Sequence, residues 1–352
     1  MSTITDTTAA ATQVVPRQRI RRRQRAATCR PRHWPPSPPR FPDLSVVIPT
    51  YNGLRILRAC LNALARHLPG YAEVIVVDDG SADGTAEAIR RTHPWVRLIR
   101  FRQNRGFCAA VNAGIQEARG PIIETLNNDT FVTAGWADAA MKLFEDHTVA
   151  SVAPRVWLLS RDDVLDSAGL VYHISGYARN RGGRRRCTAA YAKRCEIFGA
   201  TASAAFYRRD ALLAVGAFPE HFHAYYDDVD LAFRLRWAGY RCIYEPASQV
   251  IHWGSFSHNL RRAPVARQHA LNEERTFWMN MPAHLLPLAI PIHLGYLFVR
   301  GAVATWRGIG RAYLAGKLQA LRELPAILAE RRRRQQPRRA TALKLSVRLS
   351  AR

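Results

Sequence analysis

The chain has 352 residues, 48% of them hydrophobic, enough for one large domain or two smaller ones with a sizeable core. Its formal charge is +25, yet the excess is terminal: residues 1–40 carry nine Arg and one Asp, residues 331–352 carry nine Lys or Arg and no acid, and 34 basic residues face 26 acidic ones in between. Charge held in tails attracts any polyanion and does not build the basic, aromatic-interleaved folded face of a nucleic-acid reader, so no specific nucleic-acid partner is expected.

Residues 1–42 are rich in Ala, Thr, Arg and Pro and read as a disordered basic arm. No apolar segment follows the early arginines, so no signal peptide is read. From Leu44 three β-branched runs each end in polar residues: Leu44–Asn52, Val74–Ser81 and Ile122–Asp129. Helical patterns over Leu54–His67, Gly84–Arg91 and Gly106–Arg119 separate them, with a further short strand at Val96–Arg100. Apolar runs of this length alternating with helices predict parallel strands in βαβ units. A helix over Gly135–Asp146 and a strand from Val149 follow, and residues 155–195 lose periodicity and collect Gly and Arg, as a loop-rich insertion would. Order returns at Phe198–Tyr207, a short helix from Arg209, a helix opening at Asp227 and closing at Gly239, and two strand-like runs, Arg241–Tyr244 and Gln249–His252. Beyond Arg261 the apolar run 283–299 holds two prolines and two histidines and is short of the ~20 residues a spanning helix needs. Trp306, Ile309, Tyr313, Leu321, Leu324 and Leu328 then recur near helical spacing beside Arg307, Arg311, Lys317 and Arg322, the pattern of a basic amphipathic helix at a bilayer surface. A C-terminal helical pair packed on the core is the alternative.

Ligands of an open α/β sheet sit outside the carboxyl ends of its strands, where these polar residues fall. Asp129 closes one such strand; it is either a helix cap or a hard oxygen ligand for the Mg²⁺ or Mn²⁺ that a nucleotide diphosphate requires. Asp227, Asp228 and Asp230 head one helix. First-turn acids offset the helix dipole, but three acids beside two tyrosines exceed that need, and paired carboxylates raise one another's affinity for a proton, as a general base requires. His252 ends a strand and becomes a metal candidate only if that end approaches Asp129. Neither GxxxxGK(S/T) nor GxGxxG follows a strand, which excludes P-loop and dinucleotide readings. Cys29, Cys60, Cys108, Cys187, Cys195 and Cys242 form no CxxC pair; buried reduced thiols of a cytosolic protein are expected.

With these residues in place, the chain resembles a family 2 glycosyltransferase of the GT-A fold, within its bacterial rhamnosyltransferase-like branch. The resemblance spans about residues 44–258. It is carried in order by Val46–Asn52, Val77–Thr85, Asn104–Phe107 with Asn112-Ala113-Gly114, Asn127-Asn128-Asp129, Phe198-Gly199-Ala200, Tyr225–Leu231 with Arg234-Leu235, and His252 with Gly254 and Ser257. It implies that Pro49, Thr50, Tyr51 and Asn52 line a nucleoside pocket and that Asp79 contacts a pyrimidine base. Arg105 and Asn128 would reach the donor, Asp129 would bind the metal with His252, and Asp228 would be the catalytic base beside Asp227. Two positions depart from the family's pattern: Asn127 stands where the first acid of its DxD does, and Asp227 stands in place of a Glu.

The implied activity is inverting transfer of a sugar from a nucleotide-diphosphate donor to a hydroxyl of a glycan or lipid-linked acceptor, in cell-surface polysaccharide synthesis. The branch points to dTDP-rhamnose, with UDP-hexoses or UDP-galactofuranose as contenders. The implied architecture is an α/β GT-A domain over 43–260, with a nucleotide half (43–130), an acceptor half (131–260) and a mostly parallel sheet. A helical membrane-associating region (261–330) and a basic tail (331–352) follow, and the expected location is cytoplasmic, peripheral on the inner face of the membrane, with an anionic lipid surface as partner. Among rivals, a sugar nucleotidyltransferase needs a Gly-rich loop where Pro49–Asn52 stands, a polyanion-binding protein rests on the tails alone, and a catalytically inactive scaffold rests on Asn127.

Overall fold

The computed structural model describes residues 39–254 and 262–335. The basic arm through residue 38, Ser257 and the tail from residue 336 lie outside the described residues. The chain opens with β1 (Leu44–Thr50), α1 (Leu54–His67), β2 (Ala72–Asp78), α2 (Thr85–Thr92), β3 (Arg97–Arg100), α3 (Phe107–Glu117) and β4 (Ile122–Leu126). Next come β5 (Thr130–Val132), α4 (Trp136–Met141), β6 (Val149–Leu158), β7 (Leu165–Ser167), β8 (Leu170–Tyr172), β9 (Ala178–Asn180), β10 (Cys195–Ile197), β11 (Ala204–Arg208) and α5 (Arg209–Ala214). The last elements are α6 (Asp227–Trp237), β12 (Arg241–His252), α7 (Ala263–Asn280), α8 (Leu286–Trp306), α9 (Gly310–Arg322) and α10 (Leu324–Arg334).

Period-two alternation in the buried strands supplies two cores from one sheet. Leu44, Val46 and Ile48 of β1 face Leu57, Leu61 and Trp136, whereas Val47 faces Val111 and Ile115 of α3 on the other side. Only a glycine at 114 lets α3 come so close to β1, since a Cβ there would collide with Val47. The strand order is β10-β12-β6-β11-β4-β1-β2-β3. β1, β2, β3 and β4 are mutually parallel; β11 runs antiparallel between β4 and β6, and β6 pairs in parallel with β12. Six of these eight strands therefore point the same way, and their carboxyl ends share one edge.

Three expectations are corrected. The two runs 241–244 and 249–252 form one strand, β12, whose register against β6 shifts between Glu245 and Gln249; the segment around Pro246 bulges out of the ladder, as proline must. The loop-rich insertion 155–195 carries short paired strands that its lost periodicity did not show: β7 pairs with β6, and β8 with β9. The apolar run does not stop at residue 299 either. Pro287 stands in the first turn of α8, where no hydrogen bond is lost, Pro291 lies inside the helix at the cost of one, and Ala283–Trp306 is by length and composition able to cross a membrane.

Candidate active site

The carboxyl edge gathers most of the residues singled out from sequence. Thr50 ends β1 buried, and its hydroxyl accepts a hydrogen bond from Asn128 Nδ2 at 2.9 Å. Pro49 is buried in the same strand, whereas Tyr51 is 52% exposed. Asn52 sits at φ 47°, a conformation Asn tolerates better than most residues, and latches the first loop to the second. Its amide donates to Ser81 Oγ at 2.8 Å, and its Oδ1 accepts from the Ala82 amide at 2.9 Å.

Asp79 braces a third loop, accepting from the amides of Arg105 (2.7 Å) and Gly106 (2.9 Å). Burial pushes its carboxyl up from the ordinary range, against the pull of those two amides. The Arg105 guanidinium lies over the Phe101 ring at 4.8 Å and faces Glu220 at 3.5 Å, both lining a cleft of about 310 Å³.

Asp129 and His252 meet because β5 pairs antiparallel with the end of β12, setting His252 opposite Thr130, while Trp253 N–H donates to the Asp129 carbonyl at 2.9 Å. His252 Nε2 lies 3.1 Å from Asp129 Oδ1, and His252 Nδ1 lies 2.9 Å from Asp166 Oδ2. Burial alone would depress the imidazole, but the two carboxylates outweigh it and push its pKa up to about 10. Asp166 was not legible in the sequence. It lies on β7, and only the pairing of β7 with β6, beside β12, brings it to the histidine.

A divalent cation would have to displace the proton that His252 Nε2 shares with Asp129, leaving a neutral imidazole nitrogen and a carboxylate oxygen as its ligands. Two neighbouring ligands on a six-coordinate Mg²⁺ with bonds near 2.1 Å stand about 3 Å apart, the separation found here. Among the described residues no group of three or more His, Cys, Asp or Glu side chains is arranged to hold a metal unaided. A cation at this edge would therefore complete its shell with diphosphate and water oxygens, the habit of Mg²⁺ sites. Asp166 would then act from the outer sphere, fixing the imidazole so that Nε2 faces the ion.

The second acid pair opens α6. Asp227 is 5% exposed, and its Oδ2 has no hydrogen-bond partner among the described residues; burial and the neighbouring Asp228 charge push it well above the carboxylate range. Asp228 is half-buried and accepts from the amides of Ala202 (3.2 Å) and Val229 (2.8 Å). Burial raises it too, while those amides favour its charged form. Burial and mutual repulsion thus raise both carboxyls, Asp227 the more strongly, so that the pair favours holding one proton between them. The segment Thr201–Ser203 links the pair to the other acids: Ala202 binds Asp228, and the Ser203 carbonyl accepts from Asn127 N–H and Thr130 Oγ1, on either side of Asp129.

One further buried acid is unrelated to this edge. Glu124 in β4 is fully buried, receives Trp136 Nε1–H on both oxygens (2.9 and 3.0 Å), and is pushed by burial up to about 8. Its folded value lies above the unfolded one, so its contribution to stability is full below about pH 4.5 and is lost as pH rises toward 8. Glu124→Gln should therefore raise the melting temperature at pH 8, by the equivalent of a few kcal/mol, and change it little at pH 5. Equal shifts in melts at the two pH values would contradict this.

A parallel-rich sheet with acids and a histidine at one carboxyl edge, and a half-exposed carboxylate beside a buried one, is the build of an α/β transferase. The family model "Glycosyl transferase family 2" matches residues 45–216. The chain is 30% identical over 248 residues to the N-acetylglucosaminyl-diphospho-decaprenol L-rhamnosyltransferase of Mycobacterium tuberculosis, covering 63% of this chain and 79% of that one. It is 32% identical over 219 residues to the pre-mycofactocin glycosyltransferase of the same organism, covering 62% of this chain but only 44% of that relative. GalNAc-T7, solved with UDP, GalNAc and Mn²⁺, superposes with a TM-score of 0.51 at 17% identity, over 68% of this chain and 50% of that one. The fold is GT-A, and the chain belongs to glycosyl transferase family 2.

Proposed function

We propose that this glycosyltransferase inverts the anomeric centre of its donor sugar, with dTDP-rhamnose the favoured donor, and that it delivers the sugar to a hydroxyl of a lipid-linked or glycan acceptor in cell-surface polysaccharide synthesis. The observation that carries the reading is the pairing of a half-buried Asp228 with a buried Asp227, joined through Thr201–Ser203 to Asp129 and His252. A single displacement needs one base and no enzyme nucleophile. Asp228 takes the proton of the acceptor hydroxyl; the oxygen attacks the anomeric carbon from the face opposite the leaving group. The carbon–oxygen bond to the nucleoside diphosphate breaks with its electron pair. Asp227 keeps its proton and so confines the negative charge to Asp228. Asp129 and His252 would hold Mg²⁺ or Mn²⁺, which when bound supplies positive charge against the departing diphosphate. The latched loops bearing Thr50, Asn52 and Asp79 would seat the nucleoside, with Asn128 fixed against Thr50. The rhamnosyltransferase name of one relative supports the sugar and a lipid diphosphate acceptor.

The C-terminal helices support a membrane-facing acceptor. Leu288, Ile292, Leu294, Phe298, Val299 and Trp306 are exposed on α8, while Ala289, His293 and Ala304 are buried on its opposite side. With one side fixed to the protein, α8 would lie along the inner face of the membrane rather than cross it. Exposed Leu314, Leu318 and Leu321 of α9, flanked by Arg311 and Arg322, extend the same habit toward anionic lipid. Full-length protein with dTDP-rhamnose, Mn²⁺ and a prenyl-diphosphate-linked sugar in anionic vesicles tests both parts. Product with the opposite anomeric configuration is expected by NMR, and Phe298→Asp/Trp306→Asp should release the protein from sedimenting vesicles. Retained configuration would sink the mechanism, and undiminished sedimentation the membrane face.

A further inference from the structure

The base-bearing helix α6 is entered through a loop in an unusual conformation. His223 (φ 57°), Tyr225 (φ 70°) and Tyr226 (φ 63°) all have positive φ, and none is glycine. Residues with side chains rarely adopt such values, and a run of such residues persists only where its surroundings over-determine it. What holds it is α7, beyond the segment matched by the family model. Asn272, fully buried, donates its side-chain amide to the carbonyls of Phe222 (2.9 Å), Ala224 (2.9 Å) and Tyr225 (3.0 Å). Its own oxygen accepts from Gln268 Nε2 (3.2 Å) and Arg275 Nη1 (3.1 Å), which fixes the amide's orientation. Arg275 Nη1 also donates to the His221 carbonyl at 2.8 Å, and Gln268 Nε2 to that of Phe222 at 3.0 Å.

The next residue on α7 continues the grip. Tyr226, immediately before the Asp227-Asp228 pair, donates its hydroxyl to Glu273 at 3.0 Å. Glu273 is fully buried, receives Lys317 of α9 at 2.5 Å and accepts from Tyr296 of α8 at 2.6 Å. From the opposite side, Cys108 N–H at the start of α3 donates to the His223 carbonyl at 3.0 Å. The carbonyls of residues 221, 222, 224 and 225 thus all point into one helix, and a tyrosine adjoining the acids is anchored through that helix to the two that follow.

We propose that Asn272 is a positioning residue for transfer: with Gln268, Arg275 and Glu273 it clamps the loop 221–226 so that Asp228 stands against the Ala202 amide in the geometry of a base. The inference rests on Asp228 being that base. It makes the C-terminal helices part of the catalytic apparatus.

The test uses the full chain and three readouts: transfer from dTDP-rhamnose, dTDP binding with Mn²⁺, and amide hydrogen exchange over residues 221–229. Asn272→Ala is expected to lower kcat by about 10²-fold, the scale of a ~1 Å misplacement of a reacting group. Nucleotide affinity should stay within about threefold, and loop exchange should quicken at least about tenfold. Thr276→Val, one turn along α7 at a buried hydroxyl with no hydrogen-bond partner among the described residues, should leave all three unchanged. Wild-type kcat and exchange in Asn272→Ala would overturn the proposal, as would parallel loss of kcat and nucleotide affinity, the mark of general damage. If Asn272→Ala does not fold, Gln268→Ala, which removes one of the two donors to the Phe222 carbonyl, should show the same split at about fivefold in kcat; unchanged kcat and exchange there would overturn it equally. Absence of transfer by the wild type would contradict the proposed donor, while the clamp would still stand or fall on the exchange rates.

Discussion

Asp228→Asn should lower transfer by about 10²–10⁴-fold, the range general-base catalysis contributes, while donor binding stays nearly intact. The amide keeps the shape of the carboxylate but has a single oxygen, so it retains one of the two bonds from Ala202 and Val229 N–H, which reach different oxygens of Asp228. What would disappear is the group proposed to receive the acceptor proton. Asp227 is a poor replacement, being buried, held well above the ordinary carboxylate range, and without a partner for Oδ2 among the described residues. Steady-state kinetics with parallel calorimetry of nucleotide binding separate the cases, and equal loss of binding and turnover would overturn the assignment of the base.

Asp129→Ala should abolish the Mn²⁺ dependence of donor binding, with an affinity loss of at least the ~10–100-fold that even outer-sphere substitutions cost at metal sites. Its carboxylate is the single hard oxygen in the pair, because Asn128 is turned to Thr50 and Asn127 carries no charge. His252→Ala should act in the same direction, since Nε2 lies within 3.1 Å of Asp129. Asp166→Asn should cost less, about tenfold, because Asp166 contacts Nδ1, the imidazole nitrogen turned away from Asp129, and would orient the ring without meeting the ion. Electron paramagnetic resonance of bound Mn²⁺ orders the three. An Asp129→Ala protein that bound Mn²⁺ and donor as the wild type does would remove this pair from the site.

The halves of the molecule differed in how much their residues disclosed. Local patterns settled the parallel strands and α1, whose bounds Leu54–His67 coincide with the periodic segment. They also placed Thr50, Asp79, Asp129 and Asp228 at strand or helix ends, where polar residues interrupt apolar runs. Asp166 escaped because nothing near it in sequence marks it; its role comes from three strands side by side, β7, β6 and β12. Asn272 escaped for the opposite reason. Asn272-Glu273-Glu274-Arg275 has the look of a solvated helix face, yet all four are buried, since their partners come from residues 221–226, α8, α9 and Glu323. Periodicity reports what a helix hides from water only when the hidden face is apolar, and here it is a network of charges and amides.

The most direct measurement is binding of dTDP-, UDP- and GDP-sugars to the full chain with and without Mn²⁺. One nucleotide class, dTDP in the first instance, bound only in the presence of the metal is the predicted result. Binding of no nucleotide sugar, or equal binding with and without Mn²⁺, would contradict a metal-assisted sugar transferase at the edge formed by Thr50, Asp79, Asp129 and His252.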